Sequence, residues 1–419
     1  MKLALAALIG LATLAPLHAK EVRPGKVTMS DPVVVAVSAP GETRWGRHQF
    51  VSLSPYPGNR ILLRFHAEED AVNAYGSGQP TLISADGGRT WQNFQEEGLP
   101  TSGLCCEVLN GEFLAVPATK PLDVAAAKLT LPKPVGEFYA YRPIHFYRAD
   151  QAAPEIQAYL SKQPAMRWTP EIKKWLPEEV SFEMRDRLIW VAGGHEGGLV
   201  SGTWFERSPI RVGHDLVFAE YRASYLAADG SVPKGNGVTC MASHDNGRTW
   251  EQRGTIAFPD AIPGEVHSMM EPVLVKNALG QLVCVIRRAD QNQKSMVITF
   301  SKDRGRSWET PRPMTELGNY GVMPALLQLE GGPLILSYGR PGVHLTFSWD
   351  GSGRQWDKPL TLVKGDPEKL NNKTDGYTVM FPLGKNEFLI GYTDFEHVDA
   401  KGQKRKAILV RRIQVGENR

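Results

Sequence analysis

Six side chains carry the chemical potential of this 419-residue sequence. Glu271 stands just before an apolar run at 272–276, and Arg287 closes the next apolar run sixteen residues later. That spacing sets a carboxylate and a guanidinium at the ends of neighbouring strands, although a surface ion pair needs nothing more. Tyr377 lies in Asp375-Gly-Tyr-Thr378, ahead of a strand at 388–392. A neutral phenol is a poor nucleophile and attacks carbon only where a carboxylate at hydrogen-bond distance withdraws its proton; a strand-edge tyrosine packing on its neighbour is the alternative. Arg340, in Tyr338-Gly-Arg-Pro-Gly342, is fixed at a turn that would aim a rigid guanidinium fork at a carboxylate, or else at nearby carbonyls. Arg47 offers another guanidinium, with Arg44 as a close rival. Asp70 ends the acidic turn Glu68-Glu69-Asp70, where any carboxyl raised in pKa by burial and a neighbouring anion could donate a proton and a solvated turn would not. His48, His66 and His195-Glu196 read as packing or surface residues.

The segments that must position these groups are short strands. Around Glu271 and Arg287 the sequence reads as a meander: apolar or β-branched runs at 272–276, 281–287 and 295–300, bounded by Gly, Asn and Asp. The meander ends in Ser301-Lys-Asp-Arg-Gly-Arg-Ser-Trp308, in which Ser and Asp can bond the backbone of a tight turn, Gly305 supplies positive φ and Trp308 pins the turn to the sheet. The octet recurs as Ser84-Ala-Asp-Gly-Gly-Arg-Thr-Trp91 and Ser243-His-Asp-Asn-Gly-Arg-Thr-Trp250, and with one residue inserted as Ser348-Trp-Asp-Gly-Ser-Gly-Arg-Gln-Trp356. The steps from Asp245 to Asp303 (58 residues) and from Asp303 to Asp350 (47 residues) are close to the length of one propeller blade. The step of 159 residues from Asp86 to Asp245 leaves room for two blades and a sizeable insertion, or for three blades.

These octets resemble the Asp-box (BNR) repeats of the sialidase, or neuraminidase, superfamily. The resemblance implies an all-β fold, a six-bladed β-propeller with Asp-box turns, and leaves the boxes themselves structural. Glu271…Arg287 is similar to that family's Asn-Glu…Arg pattern, with Met270 in place of Asn, and Asp375-Gly-Tyr377-Thr is similar to its Ala/Gly-Tyr-Ser segment. On that resemblance Tyr377 and Glu271 form the nucleophile pair and Asp70 is the acid/base. Arg47, Arg287 and Arg340 hold the substrate carboxylate. The family's Phe/Tyr-Arg-Ile-Pro motif is absent, and Gly46-Arg-His-Gln49 stands in its place.

Taken in order, the chain opens with Lys2, an apolar run at 3–14 and a cleavage site after Ala19, which reads as an export signal and predicts a secreted or periplasmic protein. Val33–Val37 is expected to pair with strands from the C-terminus and close the ring. Blades are expected at 45–91, from 104 onward, at 187–250, 271–308, 322–356 and 377–410. Between about 118 and 186 alternation fails, and Pro-led stretches at 154–160 and 170–176 carry helical spacing, predicting a partly helical insertion in a single domain of residues 20–419. A formal charge of +3 argues against nucleic acid or a membrane surface as partner, and no later segment is long and apolar enough for a membrane span. Cys240 and Cys284 read as buried fillers, and neither they nor Cys105-Cys106 suggest a metal site; no cofactor is expected.

The leading expectation is an exported exo-glycosidase that removes a terminal acidic sugar, sialic acid foremost, from a glycan. The alternatives are an enzyme acting on uronate-containing polysaccharide, a non-catalytic glycan- or protein-binding propeller, and an assembly scaffold with an exposed apolar patch.

Overall fold

The computed structural model describes residues 24–71, 74–139, 143–192, 198–203, 205–262, 268–289, 294–319 and 321–416. The 1–19 leader and His195-Glu196 lie outside these residues.

The chain is a β-propeller made of successive antiparallel meanders. The first comprises Gln49–Tyr56, Arg60–His66, Thr81–Ser84 and Gln92–Asn93. Next come Leu104–Glu107, Phe113–Val116, Lys162–Trp168 and Trp175–Phe182, then Ile210–Val212, Asp215–Glu220, Val238–Ser243 and Thr249–Ala257. These two meanders fuse into one eight-stranded sheet through a parallel contact, Ser181 opposite Thr249 and Phe182 opposite Trp250. Ser268–Lys276, Leu282–Ala289, Val297–Ser301 and Arg312–Pro313 follow, and then Ala325–Gln328, Leu334–Gly339, Val343–Ser348 and Leu360–Val363. The last sheet holds Val379–Gly384, Glu387–Val398 and Lys404–Val415; Val33–Val37 pairs with Lys404–Val415 as the sequence led us to expect, and Val27–Met29, which was not anticipated, pairs with it too.

The sheets bury their apolar faces against one another in turn. Tyr56 and Leu62 of the first meander pack with Cys105 and Trp175 of the second, and Leu114 and Val180 of the second with Phe218 and Trp250 of the third. Val217 and Cys240 meet Cys284 and Ile286, while Val283 and Phe300 meet Leu334 and Leu336. Ile335 and Leu345 meet Ile390 and Leu409. Leu389 and Ile408 of the last sheet return to Ile61 and Leu63 of the first. The circuit is therefore closed by core packing, with the first strand of each sheet innermost. Cys240 and Cys284 are buried in one of these cores.

The octets form the turns that their chemistry requires. Asp245 Oδ1 accepts from Ser243 Oγ (2.8 Å) and from the backbone N–H groups of Arg248 (3.1 Å) and Thr249 (2.8 Å), and its Oδ2 accepts from Thr249 Oγ1 at 2.7 Å. Asp86 and Asp303 repeat that set. In the expanded box Asp350 accepts from Ser348 and from both the amide and the hydroxyl of Ser352.

The helical stretches divide. Pro154–Ser161 is the expected helix, with Ile156 and Leu160 buried. Residues 170–176 do not form one. Lys173 has a φ of 55° in a turn that joins Lys162–Trp168 to Trp175–Phe182, and Trp168 pairs with Trp175. The apolar positions that suggested a helix face, Ile172 and Leu176, are 52% and 43% exposed, whereas the strand residues Trp175, Val180 and Phe182 are buried. Consequently 162–182 belongs to the second meander. The insertion is two excursions, 117–161 and 183–209, whose strands Pro143–Arg148 and Arg187–Ala192 pair to build an additional sheet. Arg187–Ala192 thus lies outside the meander that begins at Ile210, contrary to the expected blade beginning at 187.

Candidate active site

A cavity of about 650 Å³ lies where the innermost strands converge. Glu271 reaches it from a β-bulge: in Ser268–Lys276, Met270 pairs with Arg287 and Val273 with Val285, so two residues oppose one. Glu271 is the bulged residue, with a φ of 48°, a strained setting for a side chain of this size. Its carboxylate is fully engaged. Oε2 accepts from Arg287 Nη1 at 2.7 Å and from the Met323 backbone N–H at 2.8 Å, and Oε1 accepts from the Tyr377 hydroxyl at 2.9 Å. Arg287 Nη1 also donates to the Tyr377 oxygen at 3.2 Å.

Tyr377 enters from the residues leading into Val379–Gly384. Asp375, wholly buried, fixes its backbone: Oδ1 accepts from the Tyr377 N–H (3.0 Å) and from Thr393 Oγ1 (2.8 Å), while Oδ2 accepts from the Phe50 N–H at 2.9 Å. The Phe50 ring then stands edge-on to Tyr377, centroids 5.0 Å apart. One buried carboxylate therefore holds both the phenol's backbone and the ring that limits its movement.

Burial raises the Tyr377 phenol well above its ordinary pKa, and the adjacent Glu271 carboxylate raises it further. For Glu271 burial acts upward too, but the Arg287 charge and its hydrogen bond outweigh it and the pKa ends below the usual carboxylate value. At neutral pH the pair is a carboxylate accepting from a neutral phenol, the ground state a base-assisted nucleophile requires.

Arg340 lines the same cavity, its guanidinium 5.6 Å from the Tyr377 ring centroid and 5.4 Å from that of Trp45. Its Nη2 donates to the Asp375 carbonyl at 3.1 Å. The sequence reading thus brings Glu271, Arg287, Arg340 and Tyr377 together. Asp70 also lines the cavity, at its exposed edge, where Oδ2 accepts from Trp45 Nε1 at 3.1 Å. Arg47 is not brought in. Its Nη2 pairs with Glu68 at 3.2 Å, it does not line the cavity, and the chain beyond it turns through positive φ at His48 and Phe50. Arg44 pairs with Glu42, outside the cavity as well.

Two cavity arginines were not anticipated. Arg207 donates from Nη2 to the carbonyls of Pro324 (3.1 Å) and Thr378 (3.0 Å). Arg222 pairs closely with Glu206, which also accepts from the Tyr221 hydroxyl at 3.2 Å. A Glu-Arg pair beside a tyrosine thus occurs twice in one cavity. Both arginines come from irregular or strand-end residues around the third meander, and the only sequence signal was the adjacent pair Glu206-Arg207 between Phe205 and Ser208.

Among the described residues no group of three or more His, Cys, Asp or Glu side chains could hold a metal ion. No helix there is long and apolar enough to cross a membrane.

Residues 203–395 match the family described as BNR repeat-like domain. Among solved structures, a protein of unknown function from Dyadobacter fermentans DSM 18053 aligns with a TM-score of 0.61 at 16% identity, over 94% of this chain and 100% of that one. The intramolecular trans-sialidase from Ruminococcus gnavus aligns at 0.47 and 13% identity, over 88% of this chain and 94% of its own. The alpha-L-arabinanase of Penicillium chrysogenum aligns at 0.47 and 15%, over 91% and 98%. Identities this low speak to the fold alone. No curated protein matches the chain. Residues 203–395, just under half of the chain, are thus similar to the BNR repeat-like family, and the Asp-box turns at Asp245, Asp303 and Asp350 fall inside that match.

Proposed function

We propose that this protein is a glycoside hydrolase that cleaves a terminal carboxylate-bearing sugar, sialic acid foremost, from glycans. The observation that carries this reading is the Tyr377 hydroxyl donating to Glu271 Oε1 at 2.9 Å beside Arg287. Glu271 takes the phenolic proton as Tyr377 Oη bonds to the anomeric carbon. The bond to the leaving oxygen breaks, and that oxygen receives a proton from Asp70. In the second half Asp70 takes a proton from water, the water oxygen bonds to the anomeric carbon, and Tyr377 departs and recovers its proton from Glu271. A tyrosine nucleophile avoids bringing a second negative charge up to an anionic sugar. We also read the circuit of packed sheets as six blades, residues 1–19 as an export signal, and the protein as secreted or periplasmic.

The test is release of a fluorogenic leaving group from sialoside and uronide panels by wild type, Tyr377→Phe and Arg287→Ala. The reading expects turnover of at least one acidic glycoside by wild type and its loss in both folded variants. Binding of acidic glycans without turnover by wild type would instead make this a recognition propeller.

A further inference from the structure

The acidic turn Glu68-Glu69-Asp70 meets residues 44–47, and the two segments match side chain for side chain. Glu68 pairs with Arg47 at 3.2 Å and Glu69 with Arg44 at 3.7 Å, and neither glutamate lines the central cavity. Asp70 is gripped twice by one residue: its N–H donates to the Trp45 carbonyl (3.1 Å), and its Oδ2 accepts from Trp45 Nε1 (3.1 Å). Gly46 presses so closely on the turn that a Cβ there would lie 2.2 Å from the Asp70 nitrogen. The two ion pairs are exposed and hold weakly. Trp45 therefore carries the grip on Asp70, and its ring also meets Phe50 and the Arg340 guanidinium. An indole N–H can only donate, so Oδ2 is fixed as an acceptor. The acid's proton is left to Oδ1, which has no partner among the described residues.

Residues 44–47 are anchored in turn from the other end of the chain. Lys406, on Lys404–Val415 of the last sheet, is 5% exposed and donates from Nζ to the carbonyls of Arg44 (2.5 Å) and Arg47 (3.4 Å). Those two carbonyls bracket Trp45 and Gly46. Lys406 forms no ion pair among the described residues, and burial lowers its pKa. A buried ammonium without a counter-ion is costly to keep, and what it fixes here is the course of 44–47.

Resting on the function proposed above, we infer that residues 44–47 are a strap that presents Asp70 to the leaving oxygen, with Trp45 and Lys406 as its positioning residues. Lys406 sets where the strap runs, and Trp45 sets the rotation of the Asp70 carboxyl so that Oδ1 delivers the proton. The strand that pairs with Val33–Val37 in the last sheet thus also supports the proton donor on the first.

The test compares two leaving groups on wild type, Trp45→Phe, Lys406→Met and Asp70→Asn, with thermal melts confirming the fold. Methylumbelliferyl glycosides of N-acetylneuraminic acid and of glucuronic acid lose their aglycone with little help from an acid, whereas the methyl glycosides need the proton. The readout is kcat/KM on the aryl glycoside divided by that on the methyl glycoside. That ratio should rise by at least about 100-fold in Asp70→Asn and by about tenfold in Trp45→Phe and Lys406→Met. A merely structural loss lowers both rates together and leaves the ratio unmoved. Trp45→Phe decides the matter if Lys406→Met does not fold. A ratio within about threefold of wild type in either folded variant, with Asp70→Asn shifted, overturns the strap and leaves the proposed function standing. An unmoved ratio in Asp70→Asn, or a wild type that turns over neither glycoside of either acid, overturns the strap and the proposed chemistry together.

Discussion

Phe50 and Glu271 occupy the same station on two different inner strands. Each is the positive-φ residue of a bulge in which two residues oppose one, with φ of 55° and 48°. Both side chains meet Tyr377, Phe50 through an edge-on ring contact and Glu271 through its carboxylate. The bulge is thus a repeated device that turns a residue out of the sheet's alternation toward the axis. It delivers a ring in one sheet and a base in another.

Tyr377→Phe removes only the hydroxyl, so the packing against Phe50 should persist. Turnover should fall by at least about 10³-fold while the melting temperature changes little. Steady-state kinetics with an activated aryl glycoside, alongside calorimetric melts, measure both.

Glu271→Ala removes a base and also the carboxylate that pairs with the largely buried Arg287. Unlike Tyr377→Phe, it should cost about 3–5 kcal/mol of stability, read from denaturant unfolding. Near-native stability would mean that the Arg287 charge finds another partner.

The depressed pKa of Glu271 fixes the acid limb of activity. Because the folded value lies below the ordinary 4.5, the carboxylate remains ionised as pH falls through the usual glutamate range, and kcat/KM should be lost only below it. A pH profile corrected for unfolding checks this, and an acid limb near pH 6 assigned to Glu271 would contradict the geometry.

Asp375→Ala should lower kcat by about 10- to 100-fold with a smaller change in KM, since the residue holds the backbone of Tyr377 and Phe50 without touching substrate. Equal loss of binding and turnover would indicate a collapse of the cavity.

The Asp-box carboxylates govern acid stability rather than chemistry, for none of them lines the cavity. At Asp303 burial pushes upward, but hydrogen bonds from Ser307 and Ser301 prevail and lower the pKa to about 2. Its contribution is therefore complete above the unfolded value near 4 and fades as pH drops toward 2. Asp245→Ala, which deletes four hydrogen bonds to one carboxylate, should destabilise the fold by about 2–4 kcal/mol and leave kcat unchanged, as melts and assays on the same preparation would show.

What the sequence disclosed follows from how local each signal was. The boxes were legible because Ser, Asp, Gly and Trp each do one short-range job within eight residues. Glu271, Arg287 and Tyr377 were legible because each adjoins a recognisable apolar run, although Glu271 proves to be a bulge inside its strand and the hydrogen bond from Tyr377 to Glu271 spans 106 residues. Arg47 misled because nothing in Gly46-Arg-His-Gln49 signals the positive-φ turns at His48 and Phe50 that separate it from the cavity. Arg207 left almost no trace, since an irregular segment has no period and its orientation depends on carbonyls more than a hundred residues away. The 170–176 stretch carried a helical pattern whose apolar residues face solvent; pairing with Lys162–Trp168 overrode it.

The most direct test of the central claim is covalent capture. A fluorine beside the anomeric carbon of a sialosyl or uronosyl fluoride slows breakdown of the glycosyl-enzyme, and peptide mass spectrometry then locates the sugar. The account predicts an adduct on Tyr377 that is absent from Tyr377→Phe; an adduct on a carboxylate such as Glu206 or Asp70 would contradict it.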